Sequence, residues 1–598
     1  MATATDLVLS AEQQAAVECD ALAIVLTASA GSGKTEVVSR RVERLLATDP
    51  GATSRVLALS YTVKAAEELR QRFHVRLGGQ ARRVETETLH GFAHELVRRH
   101  GSWIGLPAEP EVLQRDEDRA DLLARWLRNE GTVVPDDLPD VLRAIDLARA
   151  RCTSSARYLH EWRAALANDG ALDFPAMVEQ AAAVAELTST RRSLRQRYAH
   201  IIVDEAQNLT PAQYRLLTTV VGDPPPDATA LMMVGDPKQS IVGFSGADAT
   251  LMATFAARYD ATRLHLSVNY RSAAKIVELG NHIAAQLDSD SSPSDDVYAA
   301  AGSIKMASLP DEGVEGAHVA DWVADLLDRG LHPDDLVDGE PTAVRPEQIA
   351  VLGRSAASLR ATRMTLEARG IEVAAAVSMD DWLTSVAGRI ILEVVALHCT
   401  DHRGPKLQLT RLLGLDPGDL SCLDDVARSL KGQANSLSTL APLCHVDSPH
   451  ELISMIDDLE IRNDPHWEAD RKLLHDAWDS FVLRTDSLGR TWGNLRVFFT
   501  RLQSSVDLSA GVRLLTLHKS QGREYRAVAV VGMNDGQFPD FRAETAEERK
   551  GELRAFYVAV TRPTRTLLLT RAEQRATRYG IRDSTRSRFL DLVAPFAG

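Results

Sequence analysis

With 598 residues, the chain is too long to fold around one hydrophobic core and is expected to divide into several domains. Its 44% hydrophobic and 25% charged content is that of an ordinary globular protein, and no apolar run approaches the length of a membrane span, which excludes a membrane partner of that kind. A formal net charge of −15 disfavours loose binding to polyanions but leaves room for a local basic groove. Met1 to Asp6 lack the basic and apolar pattern of a secretory signal, so a cytoplasmic location is expected. Cys19, Cys152, Cys399, Cys422 and Cys444 are widely spaced, with no C-x-x-C pair, and read as ordinary thiols rather than disulfide or metal ligands.

In chain order, the apolar run Ala23 to Leu26 reads as a strand and Glu36 to Leu46 as a helix. Between them lies Thr27-Ala28-Ser29-Ala30-Gly31-Ser32-Gly33-Lys34-Thr35. A glycine-rich turn between strand and helix lets Ala30, Gly31, Ser32 and Gly33 bring backbone N–H groups against a phosphate at the positive end of the helix. Lys34 is expected to reach the outer phosphates and Thr35 to ligate Mg²⁺. The pattern G-x-x-x-x-G-K-[ST] is imperfect, since Ala28 holds its first glycine position. The expected ligand is a nucleoside triphosphate, with hydrolysis as the reaction. Arg70, Arg72, Arg76, Arg82 and Arg83, and then Arg98 and Arg99, read as solvated helix faces more readily than as a binding patch. The stretch 93–194 is rich in Ala, Leu and Arg at helical spacing, as in Asp116 to Asn129.

Ile201-Ile202-Val203 reads as a buried parallel strand with Asp204 and Glu205 at its C-terminal tip, where open α/β sheets bind ligands. Asp204 suits Mg²⁺ and Glu205 suits deprotonation of an attacking water. A third strand, Leu231 to Val234, leads to Gln239, whose amide can sense the γ-phosphate or that water. Phe244 sits in a glycine-rich loop, either as a loop anchor or as a stacking platform for a base. Leu287 to Asp296 and Leu331 to Gln348 read as polar loops without core-forming residues, and Ile349 to Arg354 with Leu366 to Ile371 as a strand–helix unit.

The ordered series from Leu9 to Arg562 resembles superfamily 1 DNA helicases of the UvrD/Rep/PcrA type. Leu9 to Val17 looks like that family's adenine-reading segment, which nominates Gln13. Leu59-Ser60-Tyr61-Thr62-Val63 and Thr88-Leu89-His90-Gly91-Phe92 resemble its DNA-contacting segments, which nominates Tyr61, Thr62 and His90. Val63 stands where relatives often have Asn, Asn208 where they have Asp, Phe244 where many have a base-stacking Trp, and Ser245 where they often have Arg. In Asn269-Tyr270-Arg271-Ser272 the resemblance implies that Tyr270 packs on adenine and Arg271 reaches the γ-phosphate. Within Thr516 to Glu524 it nominates His518 for DNA and Glu524 for the ribose, with Gln521 in place of the common Lys. Glu552 to Arg562 resembles the last motif and makes Arg562 a second arginine finger.

The resemblance implies an α/β fold of two RecA-like P-loop domains with parallel sheets, each carrying a mainly helical insertion. The first domain is expected over 1–92 and 195–264, with its insertion at 93–194. The second is expected over 265–375 and 506–598, with a reduced insertion at 376–505. Ser587 to Leu590 resembles the end of the second domain, and no appended nuclease is expected. The implied function is an ATP- and Mg²⁺-dependent motor on single-stranded and tailed duplex DNA, moving 3′→5′. The alternative is an accessory ATPase subunit of a nuclease-containing repair or anti-phage defence complex, beside a nuclease or repair partner and without unwinding of its own.

Overall fold

A computed structural model describes residues 8–597 except 49–52, 108–109, 114, 225–228, 288–293, 297–299, 375–382, 384, 400–402, 416–419, 421, 434–435, 463, 465, 485–489, 506–510 and 578–579. The expected loop Leu287 to Asp296 therefore falls largely outside the described residues.

Two parallel sheets organise the molecule. The first contains β1 (Ala23–Ala28), β2 (Arg55–Ser60), β3 (Val84–Thr88), β4 (Tyr198–Val203), β5 (Ala230–Gly235) and β6 (Thr262–Leu266), in the order β3-β2-β4-β5-β1-β6. Its central strands β1, β2, β4 and β5 are largely buried on both faces, so alternate residues enter different cores. Val25, Leu57, Ile201 and Met233 pack on one side. Ile24, Val56, Ile202 and Met232 pack on the other, under the helices Lys34–Thr48 and Val63–Leu77. That is why these strands read as continuous apolar runs rather than as alternating ones.

The second sheet contains β7 (Ser303–Asp311), β8 (Ile349–Gly353), β9 (Arg513–Thr516), β10 (Tyr525–Val531) and β11 (Pro563–Thr577), in the order β7-β11-β10-β8-β9, with β12 (Gly580–Asp583) antiparallel on β11. Here too Val351 and Ala529 face one core while Leu352 and Val530 face the other. The α/β class with two parallel sheets is thus the observed fold.

Helices fill both long interruptions. Asp116–Asn129 is a helix over the residues its spacing predicted. It belongs to an apolar cluster continuous with the first sheet. Between residues 386 and 505 the described chain is helical around its own cluster, which includes Ile390, Val394, Leu452, Trp467 and Phe481. The two helical regions meet through charged side chains. Arg115 bonds Glu393, and Arg411 bonds Asp121 and lies 3.5 Å from Asp118.

Several expected boundaries cut elements. Residue 92 lies inside the helix Leu89–His100, 195 inside Thr188–Arg197, and 264 inside β6. The reading of Leu331 to Gln348 as a loop without core-forming residues needs correction. Leu331 and Val344 are buried in the second lobe's core. Glu340 from the same segment holds Arg526 and Arg565 at 2.9 Å. The arginine-rich faces are largely neutralised by local acids: Arg70 by Glu67, Arg76 by Glu36 and Glu43, and Arg98 and Arg99 by Glu95. No helix among the described residues is long and apolar enough to cross a membrane.

Candidate active site

Strands β4, β5 and β1 are neighbours, so their C-terminal tips bring Asp204-Glu205, Asp236 and the P-loop side by side. Gly31 at φ +76° and Gly33 at φ +82° adopt the left-handed backbone that the turn requires. A Cβ on Gly31 would also come within 2.8 Å of the Asn269 side chain, so glycine is needed there for space as well. Ser32 Oγ donates to Ser29 O at 2.8 Å and Lys34 Nζ to Ala28 O at 3.2 Å, which closes the turn on itself. Thr35 lies in the first turn of the following helix. Successive N–H groups and the helix start form a cradle suited to an anion.

Gln13 is buried against this cradle. Its Oε1 accepts from Ser10 N at 3.0 Å, and its Nε2 donates to Ser32 O at 3.1 Å. One amide hydrogen and one lone pair remain, the pair that an adenine edge needs. Tyr270 is 40% exposed, and its backbone N–H donates to Gly31 O at 3.0 Å. Asn269 donates to Ala30 O at 2.9 Å, and its Oδ1 accepts from Arg271 N at 2.8 Å and Ser272 N at 2.9 Å. Asn269, a polar residue with no local sequence signal, fastens the P-loop to the segment carrying Tyr270 and Arg271.

Asp204 is buried, and its Oδ1 accepts from Glu205 N at 3.0 Å. Burial, with Glu205 alongside, raises its carboxyl above the ordinary range, while Lys34 opposes the shift. Glu205 sits at φ +54°, a left-handed conformation rare for a non-glycine residue. Its carboxylate accepts from Gln207 Nε2 at 2.5 Å. Among the described residues no group of three or more His, Cys, Asp or Glu side chains forms a metal cage. Thr35 and Asp204 are hard oxygen donors of the kind that share Mg²⁺ with substrate phosphates and water, so the residues fit that ion.

Behind the two carboxylates runs a hydrogen-bonded chain. Gln207 Oε1 accepts from Asp236 N at 3.0 Å, and Asp236 Oδ2 accepts from Gln239 Nε2 at 2.9 Å. Burial alone would raise the Asp236 carboxyl, but Lys238, Lys34 and the Gln239 amide hold it below its usual value. Gln239 Oε1 in turn accepts from Arg562 Nη2 at 3.1 Å. Gln239 therefore joins the first lobe to the second. Asp236 is the hub of this chain and was not singled out by sequence, since a lone Asp after a strand carries no distinctive spacing.

Arg562 is 2% exposed, and its further donations go to Val558 O at 3.0 Å, Arg523 O at 2.9 Å and Thr561 Oγ1 at 3.3 Å. All these partners are neutral. Burial and the nearby Arg271 push its guanidinium down to about 10. A buried cation whose hydrogen-bond partners among the described residues are neutral favours an added anion. Arg271 pairs with Glu524 at 2.8 Å and donates to Thr561 O at 3.2 Å, while its buried Nε has no partner among the described residues. The residues expected on the γ-phosphate and the ribose thus engage each other, and any phosphate brought to Arg271 would compete with this pair. Arg271 also has its carbonyl held by Arg565 Nη1 at 2.8 Å.

The expected strand-contacting residues divide into two groups. Phe244 is 70% exposed and meets His518 edge-on at 5.1 Å. Tyr61 is half-buried and packs against the second lobe's core. Thr62 caps the following helix by accepting from Ala65 N at 3.1 Å. His90 lies apart from Phe244 and His518 in its contacts, edge-on to Phe174 at 5.4 Å. Burial lowers the pKa of both His90 and His518, favouring neutral rings. Phe174 is 43% exposed and had no sequence signal, being one aromatic in a helical insertion.

Sheets joined by a phosphate cradle, strand-tip carboxylates and two basic side chains from the opposite lobe define a P-loop ATPase of the helicase kind. The UvrD/REP helicase N-terminal domain model matches residues 9–144 and 142–260, and the UvrD-like helicase C-terminal domain model matches 451–574, together more than half of the chain. The chain belongs to the UvrD-like family of ATP-dependent DNA helicases. It is 27% identical to ATP-dependent DNA helicase UvrD1 of Mycobacterium tuberculosis, over 94% of this chain and 82% of that protein. It is equally identical to UvrD2 of the same organism, over 98% and 82%. DNA helicase II of Haemophilus influenzae is 24% identical, over 92% and 82%.

Proposed function

We propose that this protein hydrolyses ATP between its two lobes and uses the cycle to move 3′→5′ along single-stranded DNA in the cytoplasm, separating tailed duplexes. The proposed roles follow from chemistry. The P-loop N–H groups and Lys34 bind the phosphates, with Thr35 and Asp204 holding Mg²⁺. That ion, when bound, would offset phosphate charge. Glu205 takes the proton of the attacking water, which Gln239 orients. Arg271 and Arg562 stabilise the charge that develops on the transferred group. Gln13, Tyr270 and Glu524 hold the nucleoside, and Tyr61, Thr62, His90, Phe244 and His518 contact the strand.

One observation supports this reading above the rest: the unbroken chain Glu205–Gln207–Asp236–Gln239–Arg562, which runs from the proposed base to an arginine of the other lobe. A phosphate bound between the lobes would add charge-assisted bonds from the P-loop and from both arginines, and its loss would remove that tie and let the cleft open. A displacement assay on DNA and RNA duplexes with either overhang tests the proposal. ATP-dependent separation of 3′-tailed DNA alone is the expected result. Stimulated ATP turnover with no separation would favour an accessory motor acting beside a nuclease or repair protein.

Phe244 gives a sharper test. Base–aromatic stacking contributes about 1–3 kcal/mol per base. Phe244→Ala is expected to lower the length of duplex separated per ATP severalfold, read by pairing phosphate release with displacement. Equal separation per ATP would remove Phe244 from the strand's path.

A further inference from the structure

The eight residues 517–524 reach Phe244, Asn208, Gln239, Arg271 and Arg562. The short 3-10 turn Leu517–Ser520 follows β9 and places His518 edge-on to the exposed Phe244. Gly522 then reverses the chain at φ +74°. Arg523 O accepts from Arg562 Nη1 at 2.9 Å, and Glu524 pairs with Arg271 at 2.8 Å. Both arginine fingers are therefore tied to the far end of the loop whose near end meets the strand-facing ring.

Gln521 stands between these ends and reaches across the cleft. Its Nε2 donates to Gln239 O at 3.2 Å and to Asn208 Oδ1 at 3.3 Å. Asn208 lies three residues beyond Glu205, on the 3-10 turn Ala206–Asn208, and its N–H donates to Glu205 O at 3.0 Å. Gln239 is the residue whose amide touches both Asp236 and Arg562. One side chain thus grips the first lobe at the turn behind the proposed base and at the residue that orients water.

We propose that Gln521 is a positioning residue that couples strand engagement to ATP turnover, by donating both amide hydrogens to oxygen acceptors of the first lobe. A base stacked on Phe244 displaces or fixes His518. The loop passes that change along three residues to Gln521, which sets Gln239 and the Glu205 turn against the arginines. Coupling of this kind needs a physically continuous set of contacts, and each link here is a bond or ring contact. The inference deepens the motor reading and rests on it.

The chemistry sets the test. Both groups facing Gln521 are acceptors, so the position requires a donor of similar reach. Lys supplies one and Met does not, while the three side chains are close in length. The ATP turnover of the full chain would be measured with and without an oligothymidylate strand, for the parent, Gln521→Met and Gln521→Lys. Gln521→Met is expected to lower the ratio of strand-stimulated to basal kcat about tenfold, the order of two ordinary hydrogen bonds. The KM for ATP and the thermal midpoint should stay near the parent values. Gln521→Lys should keep the ratio within about twofold, since its ammonium can still donate to both oxygens. A full ratio in Gln521→Met, or an equal loss in both variants, overturns the inference alone. A parent protein whose turnover no strand stimulates overturns the motor reading, and the inference with it.

Discussion

Glu205→Gln is expected to lower strand-stimulated ATP turnover by about 10²–10⁴-fold while nucleotide binding persists. The amide keeps the size of the carboxylate and can still meet Gln207 Nε2 through its carbonyl oxygen. It cannot take a proton from water. The backbone at 205 is held at φ +54° by the Asp204 carboxylate, which accepts the Glu205 N–H, and by the turn that continues to Asn208. Such a conformation costs on the order of 1–3 kcal/mol and persists where the surroundings fix it. Gln can adopt the same backbone, so the variant isolates proton transfer from architecture. Phosphate release measures the loss, and a fluorescent nucleotide reports retained binding. Turnover near the parent level would remove Glu205 from the role of base.

Arg562→Lys is expected to reduce turnover by about 10³–10⁵-fold, the range that arginine fingers contribute elsewhere. Lys preserves the charge but not the fork. Arg562 uses Nε on Val558 O, Nη1 on Arg523 O and Nη2 on Gln239 Oε1, three directions that a single ammonium on a flexible stem cannot reproduce. Even pushed down to about 10, the guanidinium of Arg562 remains protonated at neutral pH, so the parent enters the reaction with this charge in place. Single-turnover hydrolysis separates the chemical step from product release. Parent-like single-turnover rates would show that Arg562 serves only to join the lobes.

Much of this site was legible because its backbone demands leave marks in short segments. Gly31 and Gly33 are needed for positive φ, and Asp204-Glu205 follows a run apolar enough to be buried on both faces. The helix Asp116–Asn129 was legible from its periodicity. What sequence could not convey was partnership across hundreds of residues. Asn269 on Ala30 O, Asp236 under Gln239, and Glu340 beneath Arg526 and Arg565 are polar residues with no local pattern. The segment Leu331 to Gln348 misled for the same reason: it has few apolar residues, but Leu331 and Val344 suffice to seat it. Arg271 and Glu524 illustrate a different limit. Each was read as a ligand contact, and only coordinates show that they can satisfy one another.

The two helical regions have separate apolar clusters with no shared member, and Arg115–Glu393 and Arg411–Asp121 span the line between them. Salt would weaken the exposed Arg411–Asp121 half of this seam, whereas Arg115–Glu393, with Glu393 buried, is far less accessible to dissolved counterions and would keep tethering one helical body to the other.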